Sequence, residues 1–431
     1  MSDLRQYSKD HLLVFKKELE MDYKKFQAKN LSLDMSRGKP GADQLAVSNG
    51  LLDAITSKDW EHGHVGSLEY RNYGVLTGIL PCKKIFADLL SVDQKNIIVC
   101  GNSSLNMMFD YITQCMLTGS DGTPWNQQGK IKFLCPSPGY DRHFAIAEYY
   151  GMELVTVDMT DEGPDMDQVE EYIKDEKVKG MFCVPKYSNP TGITYSKETV
   201  ERIAKMKPAA SDFRIIWDNA YIIHDLSEEP DELPNIFEVL EKYDNEDMVI
   251  EFTSTSKISF PGSGVAVLAA SDRNIEIIKS RMRIQTIGYD KLNQFRHVKF
   301  YKDVEGIKNH MKLHRAILAP KFEVVIDEFE TSLEKYEIAS WTKPNGGYFI
   351  SLDVMEGTAR RVGELCKEAG VTLTPVGATY PYGVDPHDKN IRIAPSFPPV
   401  NELLKATKLL CICVKLAACE KILEDRKNGI K

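Results

Sequence analysis

Between Asn96 and Ala270 the chain alternates short apolar, β-rich runs with segments of helical periodicity, and this alternation constrains the fold more than any other feature. The runs are Asn96–Cys100, Lys132–Cys135, Glu153–Asp158, Gly180–Val184, Phe213–Trp217, Met248–Phe252 and Val265–Ala269. Helical patterns such as Leu105–Met116, Arg142–Tyr150, Met166–Lys174 and Lys197–Met206 lie between most of them. Such alternation predicts an α/β architecture, a mostly parallel seven-stranded sheet covered by helices on both faces. The last two runs are joined by a loop without a helix, which admits one antiparallel strand.

Beyond about Lys291 the pattern changes. Strand candidates Gly346–Asp353, Thr372–Pro375 and Ile391–Ala394 stand between helices, predicting a second, smaller α+β domain completed by the N-terminus. The expected division is 49–299 for the large domain, and 1–48 plus 300–431 for the small one. Ser8–Asn30 reads as an amphipathic helix, with Leu12, Phe15, Leu19 and Phe26 near helical spacing. It is an arm suited to packing on another domain or subunit. The Met35–Pro40 loop is a candidate moving part.

Composition excludes several classes. With 42% apolar and 27% charged residues over 431 positions, the chain can bury sizeable cores and carries no disorder signature. A net charge of −9 argues against bulk nucleic-acid binding. No apolar run approaches the roughly 18–20 residues of a membrane span, and Ser2–Asp10 is too polar for a signal peptide. The nine cysteines are scattered without a CxxC pair, as expected of a reduced, cytoplasmic protein. Cys411 and Cys413 fall in Leu409–Cys419, a stretch that reads as a buried helix.

In open α/β sheets, ligands sit at the carboxyl ends of the strands. Five consecutive loops at those ends hold the chemically distinctive residues: Gly101–Ser104, Pro136–Tyr140, Pro185–Gly192, Asp218–Tyr221 and Ser254–Lys257. The Gly-Asn-Ser-Ser turn opens a helix, whose free N–H groups suit a phosphate or an ordinary cap. Tyr140 offers a flat face for a ring. Asp218 ends an apolar strand, where an uncompensated charge is costly, so it needs a cationic partner. Lys257, between polar residues and Phe260-Pro261-Gly262, is placed for a partly desolvated, nucleophilic amine. A phosphate turn, a stacking ring, a buried carboxylate and a buried lysine together fit pyridoxal 5'-phosphate (PLP).

The order Gly-Asn-Ser-Ser, Pro-Gly-Tyr, Asn-Pro-Thr-Gly, Asp-Asn-Ala-Tyr, Ser-Thr-Ser-Lys and Arg-Ile-Ala-Pro resembles the class I aminotransferases of PLP fold type I. The resemblance runs from about Ser36 to Pro398, with 29 residues from Asn189 to Asp218 and 39 from Asp218 to Lys257. The wording SRGKP, PGYDRH and STSKISFPGSG is similar to a bacterial branch that includes aspartate aminotransferases. The resemblance implies that Lys257 links to the cofactor and then carries the α-proton. It implies that Asp218 holds the pyridine nitrogen protonated, with His143 behind it, and that Asn189 and Tyr221 bond the phenolic oxygen. Tyr140 matches the ring-stacking aromatic. Asn102, Ser103, Ser104 and Ser254 match phosphate contacts. Tyr73 matches a tyrosine that reaches the neighbouring subunit's phosphate, so a homodimer with shared sites is implied. Arg392 matches the clamp on the substrate α-carboxylate, and Gly38 the glycine over the amino-acid backbone. The implied substrates are small-molecule amino acids and 2-oxo acids, with aspartate and 2-oxoglutarate as the leading pair. No metal, nucleic-acid or membrane partner is expected.

One departure stands out. Many members of the family carry a phosphate-binding arginine seven to eight residues past the lysine, whereas Phe260–Val265 here holds no base. Ser256 with backbone groups, or another cation such as Lys186, would have to serve. For a distal carboxylate the candidates are Arg142, favoured because its loop lines the site, then Arg37, Lys39 and Lys291. His310 and His314, four apart on a helix, and His62 and His64 in a Gly-rich loop read as structural rather than metal-binding. The acidic cluster Glu228–Glu232 reads as a solvated loop. The rival functions are a PLP-dependent β-lyase or decarboxylase, and a non-catalytic regulator of the same fold. The regulator expects an N-terminal DNA-binding domain, for which the residues before Ser36 leave room for one helix only.

Overall fold

The computed structural model describes residues 3–60, 68–120 and 122–429. Among these residues thirteen strands follow in order: β1 (Leu33–Asp34), β2 (Ile97–Val99), β3 (Lys132–Ser137), β4 (Glu153–Thr160), β5 (Gly163–Pro164), β6 (Val178–Cys183), β7 (Arg214–Asp218), β8 (Val249–Ser254), β9 (Ala266–Ala270), β10 (Ala339–Trp341), β11 (Ile350–Val354), β12 (Val371–Thr372) and β13 (Asn390–Ile393). The main sheet has the order β2-β9-β8-β7-β6-β3-β4-β5. Pairs β8-β7, β7-β6, β6-β3 and β3-β4 are parallel, while β9 is antiparallel to both its neighbours. All seven expected strands are present, and β9 is the antiparallel one after the helix-free loop. The sheet has an eighth member, because β5 turns back on Met159 and Thr160. Two residues are too few to write an alternating pattern into a sequence.

The central strands are buried without alternation, since helices cover both faces. Every residue of β6 and of β7 is buried. In chain order β4 lies on one side of β3 and β6 on the other. The direction of winding therefore switches between β3 and β6, and a crevice opens at their carboxyl ends.

A second core joins the two ends of the chain. Leu12, Leu19 and Tyr23 of the helix Lys9–Gln27 share one buried cluster with Leu409, Cys413 and Leu416 of the helix Val400–Lys427. The N-terminal arm thus packs on its own chain. Ser8 starts it, its hydroxyl accepting from the His11 N–H at 3.2 Å. Strands β10-β11-β13 form an antiparallel sheet over this core, and β1 pairs in parallel with β12. The long helix Val304–Ser332 serves both bodies. Ile307 and Met311 bury with Ile85 and Ile258, whereas Phe322, Val325 and Phe329 join the second core. Among the described residues no helix is long and apolar enough to cross a membrane.

Candidate active site

Asp218 closes β7 beside the switch point and is almost fully buried. Its Oδ2 lies 3.0 Å from His143 Nε2, and the His143 ring stacks on Phe182 of β6 at 4.8 Å and 12°. The other oxygen, Oδ1, is buried with no hydrogen-bond partner among the described residues. A buried carboxylate oxygen left so is costly unless a donor meets it. Tyr140, at the start of the helix Asp141–Tyr149, sits edge-on to His143 at 4.9 Å. Burial raises its phenol to about 12.

Lys257 lies in the turn after β8. Its Nζ donates to the Tyr221 hydroxyl at 2.7 Å and faces the Tyr221 ring at 4.1 Å and the Tyr348 ring at 5.5 Å. Burial away from water disfavours the charged amine and brings it down to about 8, against the opposing pull of Asp218 and with the Arg392 charge adding to the effect. The Tyr348 hydroxyl donates to the Lys257 carbonyl at 3.0 Å and accepts from Gln44 Nε2 at 2.8 Å. Gln44 lies in the short helix Ala42–Val47, directly after the Met35–Pro40 loop. That loop is tied down at three points: Ala394 N–H donates to the Met35 carbonyl at 3.1 Å, Thr374 Oγ1 to that of Ser36 at 2.8 Å and Ser396 Oγ to that of Lys39 at 3.0 Å. Gly38 sits there against Phe349, and a Cβ would fall 2.4 Å from the Phe349 ring.

The Gly-Asn-Ser-Ser turn leads into the helix Ser104–Thr118, and the Ser103 side chain at its N-cap does not fold back to cap it. The first N–H groups therefore face outward, as an anion site requires. Ser256 Oγ donates to the Asn102 carbonyl at 2.7 Å, Asn102 Nδ2 to the Pro261 carbonyl at 3.2 Å and Ser254 Oγ to Ser256 Oγ at 3.2 Å. Lys186 does not join this group. Its ammonium is committed to Asp225 at 2.9 Å and to the Ile222 carbonyl at 3.1 Å.

Arg392 leaves β13 almost wholly buried, with the Phe349 ring 5.0 Å from its guanidinium carbon. Nη1 donates to Asn189 Oδ1 at 3.2 Å and to Asp141 Oδ1 at 2.8 Å, and Nε donates to Thr374 Oγ1 at 3.3 Å. Arg142 is exposed at the start of the Asp141–Tyr149 helix. Tyr73 is 82% exposed, on a loop braced by Lys291, whose Nζ donates to the Gly74 carbonyl at 3.0 Å. Lys291 is thereby a buried strut rather than a free cation. His310 and His314 form a buried pair, Nε2 to Nε2 at 3.0 Å, with Gln44 on the far side of His314. His62 and His64 lie outside the described residues.

Asp141, Thr374, Phe349, Tyr348 and Gln44 complete the site without having been singled out from the sequence. Asp141 stood inside the PGYDRH motif, between two residues that drew attention for other reasons. The other four come from distant segments and carry no local signal.

This arrangement is that of an aminotransferase, and comparison with known proteins agrees. The family described as aspartate amino-transferase matches residues 7–426, and the chain belongs to it. It is similar to an aspartate aminotransferase of Corynebacterium glutamicum, 42% identical over 419 residues covering 97% of this chain and 96% of that one. A Mycolicibacterium smegmatis relative is 44% identical over 423 residues, covering 97% and 98%. The crystal structure of an aspartate transaminase from C. glutamicum superposes with a TM-score of 0.95 at 42% identity, covering 97% of this chain and 99% of that chain. The protein is thus a fold-type I aminotransferase acting on amino and 2-oxo acids, and the family implies PLP. The residues present fit that group. Asp218 offers a buried oxygen awaiting a donor, Lys257 a desolvated amine, and the Ser104–Thr118 helix an uncapped N-terminus.

Proposed function

We propose that the protein is an aspartate:2-oxoglutarate aminotransferase working by a ping-pong cycle, as a cytoplasmic homodimer. The observation that carries the reading is that the Lys257 amine bonds Tyr221 while the Arg392 guanidinium bonds Asn189 close enough to act electrostatically on both Lys257 and Tyr221. One group can move the α-proton while the other holds the α-carboxylate. When bound, PLP supplies an electron sink for the pair left as the α-proton departs.

The chain's own residues do the rest. Lys257 takes the α-proton at Nζ, its neutral form favoured by burial, and the Tyr221 hydroxyl fixes where Nζ points. Asp218 would hold the cofactor's protonated ring nitrogen through Oδ1, with His143 holding Oδ2. Asn189 and Tyr221 would hold the phenolic oxygen, and Tyr140 would cover the ring. Asn102, Ser103, Ser104 and Ser254 would hold the phosphate, and Tyr73 would reach that of the neighbouring subunit. Arg392 binds the α-carboxylate under Gly38, and Arg142 the distal carboxylate. The division into 49–299 and 1–48 plus 300–431 belongs to the same proposal, with the Gly38 loop closing over substrate.

The preference for aspartate is supported by the name of the C. glutamicum relative. The test is an absorption spectrum of the holoenzyme after L-aspartate alone. Loss of the visible band and its return with 2-oxoglutarate is the expected result. A band unmoved by aspartate or glutamate, but bleached by another amino acid, would overturn the dicarboxylate preference.

A further inference from the structure

Arg392 already carries a carboxylate from its own chain. Asp141 Oδ1 stands 2.8 Å from Nη1, and the same nitrogen also serves Asn189 Oδ1 at 3.2 Å. Each terminal guanidinium nitrogen has two hydrogens, so both of those on Nη1 are committed. Nε is engaged by Thr374 Oγ1 at 3.3 Å. A carboxylate clamped by two parallel bonds needs Nη2 together with either Nη1 or Nε. The charge-assisted contact to Asp141 is the strong obstacle, and the longer neutral bond to Thr374 the weak one.

Asp141 is placed to give way. Its side chain is about a third exposed (34%), against 8% for that of Arg392. As the first residue of the helix Asp141–Tyr149, it keeps a favourable electrostatic setting when it lets go of the guanidinium. Arg392 cannot move with it, being held by Asn189, Thr374 and the Phe349 ring.

We propose that Asp141 is an affinity-determining residue, an internal carboxylate that competes with the ligand's α-carboxylate for Arg392. The inference rests on the reading of Arg392 as the α-carboxylate clamp. A site occupied by its own competitor for part of the time binds ligand more weakly by the fraction of time it is free. The amino acid and the oxo acid meet the same obstacle, so both half-reactions are throttled alike. Asp141 therefore sets the working concentration range of the enzyme without touching the proton-transfer step.

The test compares Asp141→Asn, Asp141→Ser, Arg392→Gln and the double variant Asp141→Asn/Arg392→Gln as holoenzymes. Two readouts are taken: KM and kcat for L-aspartate and 2-oxoglutarate, and the equilibrium spectral titration with α-methyl-L-aspartate, which has no α-proton to lose. Each Asp141 variant is expected to lower both KM values and the dissociation constant by about three- to tenfold, as release of an engaged competitor does. The change in kcat is expected to stay within about twofold, since no contact to the reacting atoms is removed. The gain is expected to vanish in the Arg392→Gln background, because it acts through that side chain. Unchanged or raised KM values in both Asp141 variants, with Arg392→Gln strongly impaired, would overturn the inference and leave the clamp standing. An Arg392→Gln enzyme with unaltered KM would overturn the clamp itself, and the inference with it. Should aspartate prove a poor substrate, the same comparison with the amino acid that bleaches the band reads Asp141 independently of that preference.

Discussion

Lys257 Nζ lies 2.7 Å from the Tyr221 hydroxyl and over the Tyr221 ring, so one aromatic side chain both bonds the amine and desolvates it. Desolvation dominates, and the amine titrates near 8 rather than 10.5. At pH 7 about a tenth of it is then neutral, where an ordinary lysine would have well under a thousandth. The neutral amine is the form that reacts with an aldehyde, so the rate of PLP uptake by apoenzyme is expected to rise through an inflection near pH 8. Stopped-flow measurement of uptake between pH 6 and 11 checks this, and an inflection near 10 would refute it.

Among the described residues Asp218 is held from one side only, with His143 at Oδ2 and no donor at Oδ1. Asp218→Asn puts a neutral amide in place of the charge and leaves the rest of the site in position. Turnover is expected to fall by about 10²- to 10³-fold, the scale of a buried charge pair broken from one side. His143→Gln is expected to cost less, since it supports the carboxylate without replacing it. Steady-state kinetics on both variants decides the order. An Asp218→Asn enzyme milder than His143→Gln would remove Asp218 from its role.

Gly38 has no room for a side chain, because a Cβ would stand 2.4 Å from the Phe349 ring that also backs Arg392. Gly38→Ala is expected to displace either the loop or the ring at a cost of about 1–3 kcal/mol, the range for overpacking. The loss should appear chiefly as a raised KM, since Arg392 shifts with Phe349. Phe349→Leu in the same chain opens the space, so the double variant is expected to recover part of the affinity. No recovery would mean that the glycine is needed for its backbone alone.

Much of this was readable from residues that are neighbours in sequence. The strands announce themselves through short apolar runs such as Met181–Cys183 in β6 and Ile215–Trp217 in β7, with Asp218 at the end of β7 and Asn189 a few positions past β6. Where a group depends on partners brought from afar, the sequence is silent. Tyr348 and Gln44 are separated by 304 residues and yet Gln44 donates to the Tyr348 hydroxyl, which in turn donates to the Lys257 carbonyl. Lys186 and Lys291 looked available as cations, but Asp225 and the Gly74 carbonyl take their ammonium groups. The charge of a lysine is local information, whereas its commitment is tertiary.

Glu251 shows the same gap between residue type and setting. It sits in β8 with its neighbours buried, and its side chain meets Asn219 Nδ2 at 2.8 Å. Burial raises its carboxyl from 4.5 to about 7, more than the Asn219 bond lowers it. Between pH 4.5 and 7 the folded protein therefore binds a proton that the unfolded chain has given up. Stability from this group is full below 4.5 and is lost as the pH rises to 7. Glu251→Gln keeps the shape and removes the titration. The denaturation midpoint of the variant relative to the wild-type protein is expected to climb between pH 5 and 7 and to level off above. A difference that is flat across that window would mean the Glu251 carboxylate is stabilised by groups other than Asn219.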